Sequence, residues 1–306
     1  MRVGAIDLGT NTTRLLVADV VDGNVEEVRR ESRITRLGEG VDARRRLLPV
    51  AIARVRNTLS DYRRTIESLG AERTLLVATS AVRDAENGEA FLGEIEWSYG
   101  FATRLVSGDE EAELTRRGVQ PPPGTIVLDI GGGSTELLLD DKHASLDMGS
   151  VRFTERFVRT DPPTRDEIDA CARAARALLV PLDMAPQQAI GVAGTLTTLA
   201  ALDLGLESYD RERVDGHRLS REGARAQLDR LAALPLAERR EVPALEPERA
   251  PVIVAGAGIL VETLAHFGLD AIEVSERDIL DGIALAAAEL PEPEEGAAPP
   301  GAYTCC

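Results

Sequence analysis

Residues 4–19, GAIDLGTNTTRLLVAD, and residues 126–140, IVLDIGGGSTELLLD, follow one plan. Each runs as an apolar strand, an aspartate, a glycine-bearing turn with hydroxyl side chains, and a second apolar strand. Asp7 matches Asp129, Gly9 matches Gly131 and Arg14 matches Glu136. Asp followed by Gly at such a turn favours a tight hairpin, because glycine takes backbone angles that other residues resist. Chance can produce one such segment. Two, each opening about half of the chain, imply two related domains.

Outward from the hairpins, strands alternate with helices. Leu48, Ile52, Val55, Leu59, Tyr62, Ile66 and Leu69 form a single apolar stripe, which predicts a helix packed on a sheet. Residues 74–82 read as a buried strand, 84–98 as a helix, 103–107 as a strand and 110–118 as a helix. Pro121, Pro122, Pro123 and Gly124 mark a domain junction. Beyond it, 165–183 read as a helix, 188–194 as a strand and 195–204 as a helix. Residues 252–267 fit either a strand, a glycine turn and a helix, or one helix interrupted by Gly256 and Gly258. A strand at 271–275 and a helix at 278–290 close the pattern. The expected organisation is a domain over 1–120, a second over 121–290 and a disordered tail over 291–306, in an α/β fold with mixed sheets.

Composition narrows the function classes. The chain of 306 residues has an apolar fraction of 43%, which places it in the soluble globular class. Aromatic residues make up 3%, so base-stacking platforms for nucleic acid gain no support. No apolar run approaches a membrane span, and Met1 leads directly into a strand, so a cytoplasmic location is expected. Cys171 reads as a small buried apolar residue, while Cys305 and Cys306 end a Pro/Gly/Glu-rich tail. The net charge of −17 excludes holding a polyanion by bulk electrostatics. A polyanionic substrate would need a local cluster of arginines, backbone amides and divalent metal. Lys142 is the sole lysine; an arginine coding bias explains this as well as phosphate clamping does.

The hairpins carry the candidate chemistry. Gly131, Gly132 and Gly133 remove three side chains in succession, so backbone N–H groups can close on a phosphate. Ser134, Thr135, Thr10, Asn11, Thr12 and Thr13 add neutral donors. Lysine and a following helix are missing, so this is neither a Walker A loop nor a dinucleotide fingerprint. The plainer alternative is two ordinary tight turns, but a turn needs one glycine. Asp7 and Asp129, each at a turn entry, suit Mg2+ as hard oxygen ligands, although aspartate also serves turns locally. Glu136, at the head of ELLL, suggests a metal- or water-facing role. In the acidic run Asp109, Glu110, Glu111, Glu113, the pattern Ser107-x-x-Glu110 fits a helix capping box. That leaves Glu111 as a candidate general base, with helix-dipole stabilisation as the alternative. Arg83 follows a buried strand, where α/β sheets carry sites, or it is an exposed cap. Arg14 and Arg36 lie near the first hairpin and are candidates to face phosphate.

In order, DLGTNTTRLLV, TSAVRDAENG, SGDEEAEL, DIGGGSTEL, GTLTTLAAL, VDGHRLS and PERAPVIVAGAGILVETL resemble the exopolyphosphatase and guanosine pentaphosphate phosphatase family. The likeness runs to about Leu290. It implies the actin/hexokinase/Hsp70-like fold, with two ribonuclease-H-like domains and a central cleft, Mg2+ dependence and homodimers. By resemblance, Glu111 is the catalytic base, and Asp129 and Glu136 position metal and water. Residues 131–134 with Thr10, Asn11 and Thr12 are phosphate loops, and Arg83 meets phosphate. The expected activity is hydrolysis of the terminal phosphoanhydride of inorganic polyphosphate. Guanosine pentaphosphate hydrolysis, a kinase or ATPase of the same superfold, and a non-catalytic polyphosphate or alarmone sensor are the alternatives. Two departures stand out. The chain is expected to be of the short, two-domain form without the C-terminal helical domain of longer members, which weakens any expectation of high processivity, and Asp281 stands where arginine is expected.

Overall fold

The computed structural model describes residues 1–291. The tail expected to be disordered, including Cys305 and Cys306, lies outside the described residues apart from Pro291. Internal contacts divide the chain into two units: Met1–Val119 together with the chain from Ile279 onward, and Gln120–Asp278.

In the first unit, β1 (Arg2–Leu8), β2 (Thr12–Val21), β3 (Asn24–Ile34), β4 (Arg73–Ala78) and β5 (Ala102–Leu105) form one sheet in the order β3-β2-β1-β4-β5. The first three strands are antiparallel neighbours, and β1, β4 and β5 are parallel. The helices are α1 (Val41–Arg44), α2 (Pro49–Ser68), α3 (Ser80–Arg83), α4 (Gly88–Tyr99) and α5 (Gly108–Val119). The second unit holds β6 (Thr125–Ile130), β7 (Thr135–Leu139), β8 (Lys142–Leu146), β9 (Gln188–Val192), β10 (Arg218–Ser220) and β11 (Ala271–Val274), ordered β10-β11-β9-β6-β7-β8. Its helices are α6 (Ser150–Phe157), α7 (Arg165–Leu179), α8 (Ala193–Asp203), α9 (Arg211–Val214), α10 (Arg221–Ala233), α11 (Leu236–Arg239) and α12 (Ile253–His266). Counted from β8, the second sheet repeats the order of the first and adds β10 at one edge, antiparallel to β11. Two ribonuclease-H-like units of the actin/hexokinase/Hsp70-like class result.

The α2 stripe is the best-read helix. Val55, Leu59, Tyr62 and Ile66 are buried against Ile6, Leu8, Leu15 and Val17 on one face of the first sheet. Alternation along the strands sends Val3, Ala5, Leu16 and Val77 to the other face. There they meet Leu114 of α5 and the last helix, α13 (Ile279–Ala288), through Ile279, Leu280, Ile283, Ala284 and Ala287. The sequence reading gives this helix to the second domain; its apolar residues instead complete the first unit's core. Asp281, noted above as a departure, belongs to the same helix and pairs with Arg30 of β3 at 3.0 Å.

Other differences have physical causes. Sequence periodicity misses β3 and β8, because both are edge strands whose side chains stand mostly in solvent. Charges along β3 (Glu26, Glu27, Arg29, Arg30, Glu31, Arg33) suit an edge that must not pair with another chain. The strand expected over 74–82 stops at Ala78 and turns into α3. Residues 253–266 form one uninterrupted helix. Gly256 is there for close approach: a Cβ would lie 2.6 Å from Thr195 Cγ2 on α8. Packing outweighs glycine's poor helix propensity of about 1 kcal/mol. Among the described residues, no helix is long and apolar enough to cross a membrane.

Tyr62 is fully buried, and its hydroxyl donates to the Thr13 carbonyl (2.9 Å) at the start of β2. Tyr62→Phe leaves that carbonyl without this donor and is expected to destabilise the fold by about 1–3 kcal/mol. In urea unfolding, the midpoint should fall while the slope is unchanged.

Candidate active site

The first loop joins β1 to β2, and its turn is closed by the Gly9 N–H donating to the Thr12 carbonyl (3.1 Å). The second joins β6 to β7 and is closed by the equivalent bond, Gly131 N–H to the Ser134 carbonyl (3.0 Å). The repeat therefore extends to turn geometry.

The fate of the loop carbonyls separates these turns from plain hairpins. The Thr10 carbonyl accepts from the Gly38 N–H (2.8 Å), and the Asn11 carbonyl from those of Thr35 and Arg36 (3.0 and 2.9 Å). In the second loop, the Gly131 carbonyl accepts from the Ser150 N–H (2.9 Å) and the Gly132 carbonyl from those of Val151 and Arg152 (2.9 and 3.1 Å). The Gly133 carbonyl accepts from Nε of the buried Arg152 (2.6 Å). In both copies the donors sit on the segment that follows the sheet's third strand. A trans peptide holds C=O and N–H antiparallel. The amides of Gly132, Gly133 and Ser134 are therefore turned the opposite way, as are those of Asn11 and Thr12 in the first loop. Such a run of N–H groups forms an anion-binding nest. The buried Thr10 hydroxyl also bonds that of Ser80 (2.8 Å), tying the first loop to α3.

The matched acidic positions diverge. Asp7 lies directly opposite Arg14 in the ladder, and Arg14 donates to Asp7 Oδ2 from Nε (2.9 Å) and Nη2 (2.7 Å). Asp7, expected to bind metal, is thus neutralised within its own hairpin. Arg14, expected to face phosphate, is committed to Asp7. In the second copy Asp129 stands directly opposite Glu136, and both are buried. Like charges facing each other across a ladder destabilise it, and buried charge demands compensation. The Ser145 hydroxyl donates to Glu136 Oε1 (3.0 Å). Two hard carboxylates suit Mg2+, which takes one or two from protein and fills its octahedron with water and phosphate oxygens. Among the described residues no cluster of three or more metal-ligating side chains occurs. A cation at this pair would therefore depend on those other oxygens.

The Ser107–Glu110 capping box is present. Glu110 Oε2 accepts from the Ser107 N–H (2.8 Å) and hydroxyl (3.0 Å), while Ser107 Oγ accepts from the Glu110 N–H (3.2 Å). These bonds, the backbone one foremost, hold the Glu110 carboxyl below its usual range. Glu111, one residue on, is buried, and its Oε2 lies 3.6 Å from Arg83 Nη1. The same Nη1 donates to the Val106 carbonyl (2.7 Å), just before α5. Arg83 ends the single turn of α3 instead of following a strand directly. Arg36 has a left-handed backbone (φ 49°). Its N–H holds Asn11, and its carbonyl accepts from Arg54 Nη2 (3.2 Å). The first unit thus brings together Thr10, Asn11, Thr12, Arg36, Arg83 and Glu111. The second brings together Asp129, Gly131, Gly132, Gly133, Ser134 and Glu136.

Sequence reasoning misses three neighbours of these loops. Ser80 anchors Thr10, and Arg152 clamps the glycines. Arg249 rests its guanidinium against Gly194 at the start of α8, where a Cβ would lie 2.2 Å from Nη1. Next to it, the Thr195 hydroxyl donates to the Ile130 carbonyl at the second loop (2.8 Å). A lone arginine within the apolar MGSVRF was the available signal for Arg152.

Two ribonuclease-H-like units, each with an amide-lined hairpin, define a phosphate-handling protein of the actin-like class. Residues 16–289 match the Ppx/GppA phosphatase family, and the chain belongs to it. Exopolyphosphatase 2 of Mycobacterium tuberculosis is 41% identical over 316 residues, spanning 94% of this chain and 98% of that one. The guanosine-5'-triphosphate,3'-diphosphate pyrophosphatase of Vibrio vulnificus is 29% identical, over 92% of this chain and 58% of that one. A solved exopolyphosphatase-like protein superposes with a TM-score of 0.88 at 35% identity, over 95% of this chain and 100% of the other.

Gly149 opens α6 so close to the second loop that a Cβ would lie 2.3 Å from the Gly132 carbonyl oxygen. Gly149→Ala is expected to displace that loop. Hydrogen exchange at 131–134 should quicken and the melting temperature should fall, with exchange in the first loop unchanged.

Proposed function

We propose that the protein is an exopolyphosphatase, releasing orthophosphate from the end of inorganic polyphosphate. The observation that carries this reading is the second loop. Its three glycine carbonyls are turned inward and its amides outward, beside a buried pair of opposed carboxylates. That combination accepts a phosphate and a hard cation together. Family membership and the 41% identity to an exopolyphosphatase support the same substrate class.

In the proposed reaction, water attacks the terminal phosphorus in line with the anhydride bond. Glu111 orients the water and takes its proton. The P–O bond to the chain breaks, and the shortened chain leaves with the electron pair. Arg83 balances the charge of Glu111 and fixes its direction through the 3.6 Å contact. In the second unit the amides of Gly132, Gly133 and Ser134 hold phosphate oxygens where charge develops, and in the first unit those of Asn11 and Thr12 are phosphate donors too. Arg36 lends positive charge at the first loop. Asp129 and Glu136 would hold Mg2+, which supplies charge neutralisation to the phosphoryl oxygens when bound. Asp7 and Arg14 keep a structural role. Homodimerisation, on the family resemblance, and a cytoplasmic location belong to the same proposal.

Glu111→Gln preserves shape and removes the base. It is expected to lower the turnover number by at least about a hundredfold with the melting temperature retained. Full activity in that variant would refute the assignment.

Substrate and metal are tested together. Orthophosphate release is measured from polyphosphate and from guanosine pentaphosphate, with Mg2+ and after chelation. The expected result is a higher kcat/KM on polyphosphate, no release without the metal, and a raised Mg2+ requirement in Asp129→Asn. A higher kcat/KM on guanosine pentaphosphate would move the protein to the other branch of its family. Binding without release from either would make it a sensor.

A further inference from the structure

The protein is acidic, but its charge is unevenly placed. Residues 29–64 contain eleven arginines and four carboxylates, a local +7 in a chain of −17. Most of these arginines are already engaged. Arg29, Arg30, Arg33, Arg54, Arg56, Arg63 and Arg64 all pair with carboxylates. The consecutive triplet Arg44, Arg45 and Arg46 is different. All three side chains are exposed, and the only ion pair among them within the described residues is a loose one, Arg45 to Asp84 at 3.9 Å.

The triplet is held firmly at its backbone. Val41 and Leu47 on either side are buried in the core, so the three guanidinium groups are raised between two anchors. The Arg45 carbonyl accepts from the Glu86 N–H (2.8 Å). Asn87 grips Leu47 from both sides: its Oδ1 accepts from the Leu47 N–H (2.8 Å) and its Nδ2 donates to the Leu47 carbonyl (3.2 Å). These bonds fix the triplet beside the end of α3, where Arg83 lies. At the other end of the segment, Gly38 is bonded to Thr10 in the first loop. The chain from 38 to 47 therefore runs from the first loop, where Gly38 holds the Thr10 carbonyl, to the Arg83 neighbourhood, with three exposed guanidinium groups along it.

We infer that Arg44, Arg45 and Arg46 form the track on which the first unit holds the inner phosphates of a long polyphosphate chain while its terminal phosphate occupies the loop. This rests on the polyphosphatase reading and extends it to chain-length preference. Three adjacent like charges repel one another unless a polyanion lies over them. Each guanidinium presents a planar fork that matches phosphate oxygens, and the repeating charge of polyphosphate matches a row of such forks. A short substrate ends before it reaches the track. The exposure of the triplet makes its contribution sensitive to salt.

The test compares KM for long-chain polyphosphate with KM for tripolyphosphate in the wild type and in R44A/R45A/R46A. Exposed charge pairs are individually weak, about a factor of two to five each, so the long-to-short KM ratio should rise about tenfold at low salt. The salt dependence of long-chain KM should flatten by about two to three in log–log slope, roughly one for each phosphate that an arginine no longer neutralises. The lysine triplet R44K/R45K/R46K should keep most of the long-chain preference, since charge is retained. An unchanged ratio, or equal loss on both substrates, overturns the track. So does single-stranded RNA competing as well as polyphosphate of equal charge, since that would mark a nucleic-acid surface. Wild-type protein that releases no phosphate from either chain length overturns the hydrolase reading instead, so the two failures are distinguishable.

Discussion

Capture of the loop carbonyls by the segment after the third strand is the constraint on which each hairpin's chemistry depends. A peptide group cannot aim its carbonyl and its N–H independently. Once Ser150, Val151 and Arg152 draw the glycine carbonyls inward, the outward direction of the amides is fixed. No side chain in the loop has to provide the donors. The glycines leave the amides uncovered, and a buried arginine clamps the last carbonyl. In the first copy Thr35, Arg36 and Gly38 do the same for Asn11 and Thr10. The edge strands β3 and β8, which carry little of the core, matter because they deliver these donors.

This explains what could and could not be seen in the sequence. The hairpins, the α2 stripe and the alternation of strand and helix were legible because each depends on local periodicity or turn chemistry. The capping box Ser107–Glu110 was legible for the same reason and left Glu111 as the next carboxylate. Strands β3 and β8 were not, because edge strands facing water lack an apolar alternation. Nor was the transfer of α13 to the first unit, which depends on packing between residues far apart in the chain, such as Leu114 and Ile283. Among site residues, those inside motifs were found. Ser80, Arg152 and Arg249 were missed, since their importance lies in which backbone or side chain they touch.

The charge distribution follows a similar logic. An acidic chain resists nonspecific association with polyanions, so any affinity for phosphate has to come from groups fixed in place. The structure supplies them in two forms: amides, which carry no net charge and need no counter-ion, and guanidinium groups. Most arginines of residues 29–64 are paired with carboxylates, whereas the exposed triplet Arg44, Arg45 and Arg46 carries one loose pair and stands on a firmly held backbone.

The duplication is most informative where its copies differ. At equivalent ladder positions the first hairpin has Asp7 opposite Arg14, and the second has Asp129 opposite Glu136. The first pair is complete: two hydrogen bonds, opposite charges and little solvent. It ties the two strands of its own hairpin together. The second pair is of a different kind, because two buried carboxylates of like charge face each other. Their surroundings must offset that repulsion, and the Ser145 hydroxyl on Glu136 is one such contact. A single difference at one ladder position, arginine in one copy and glutamate in the other, therefore separates a hairpin whose facing charges are opposite from one whose facing charges are alike.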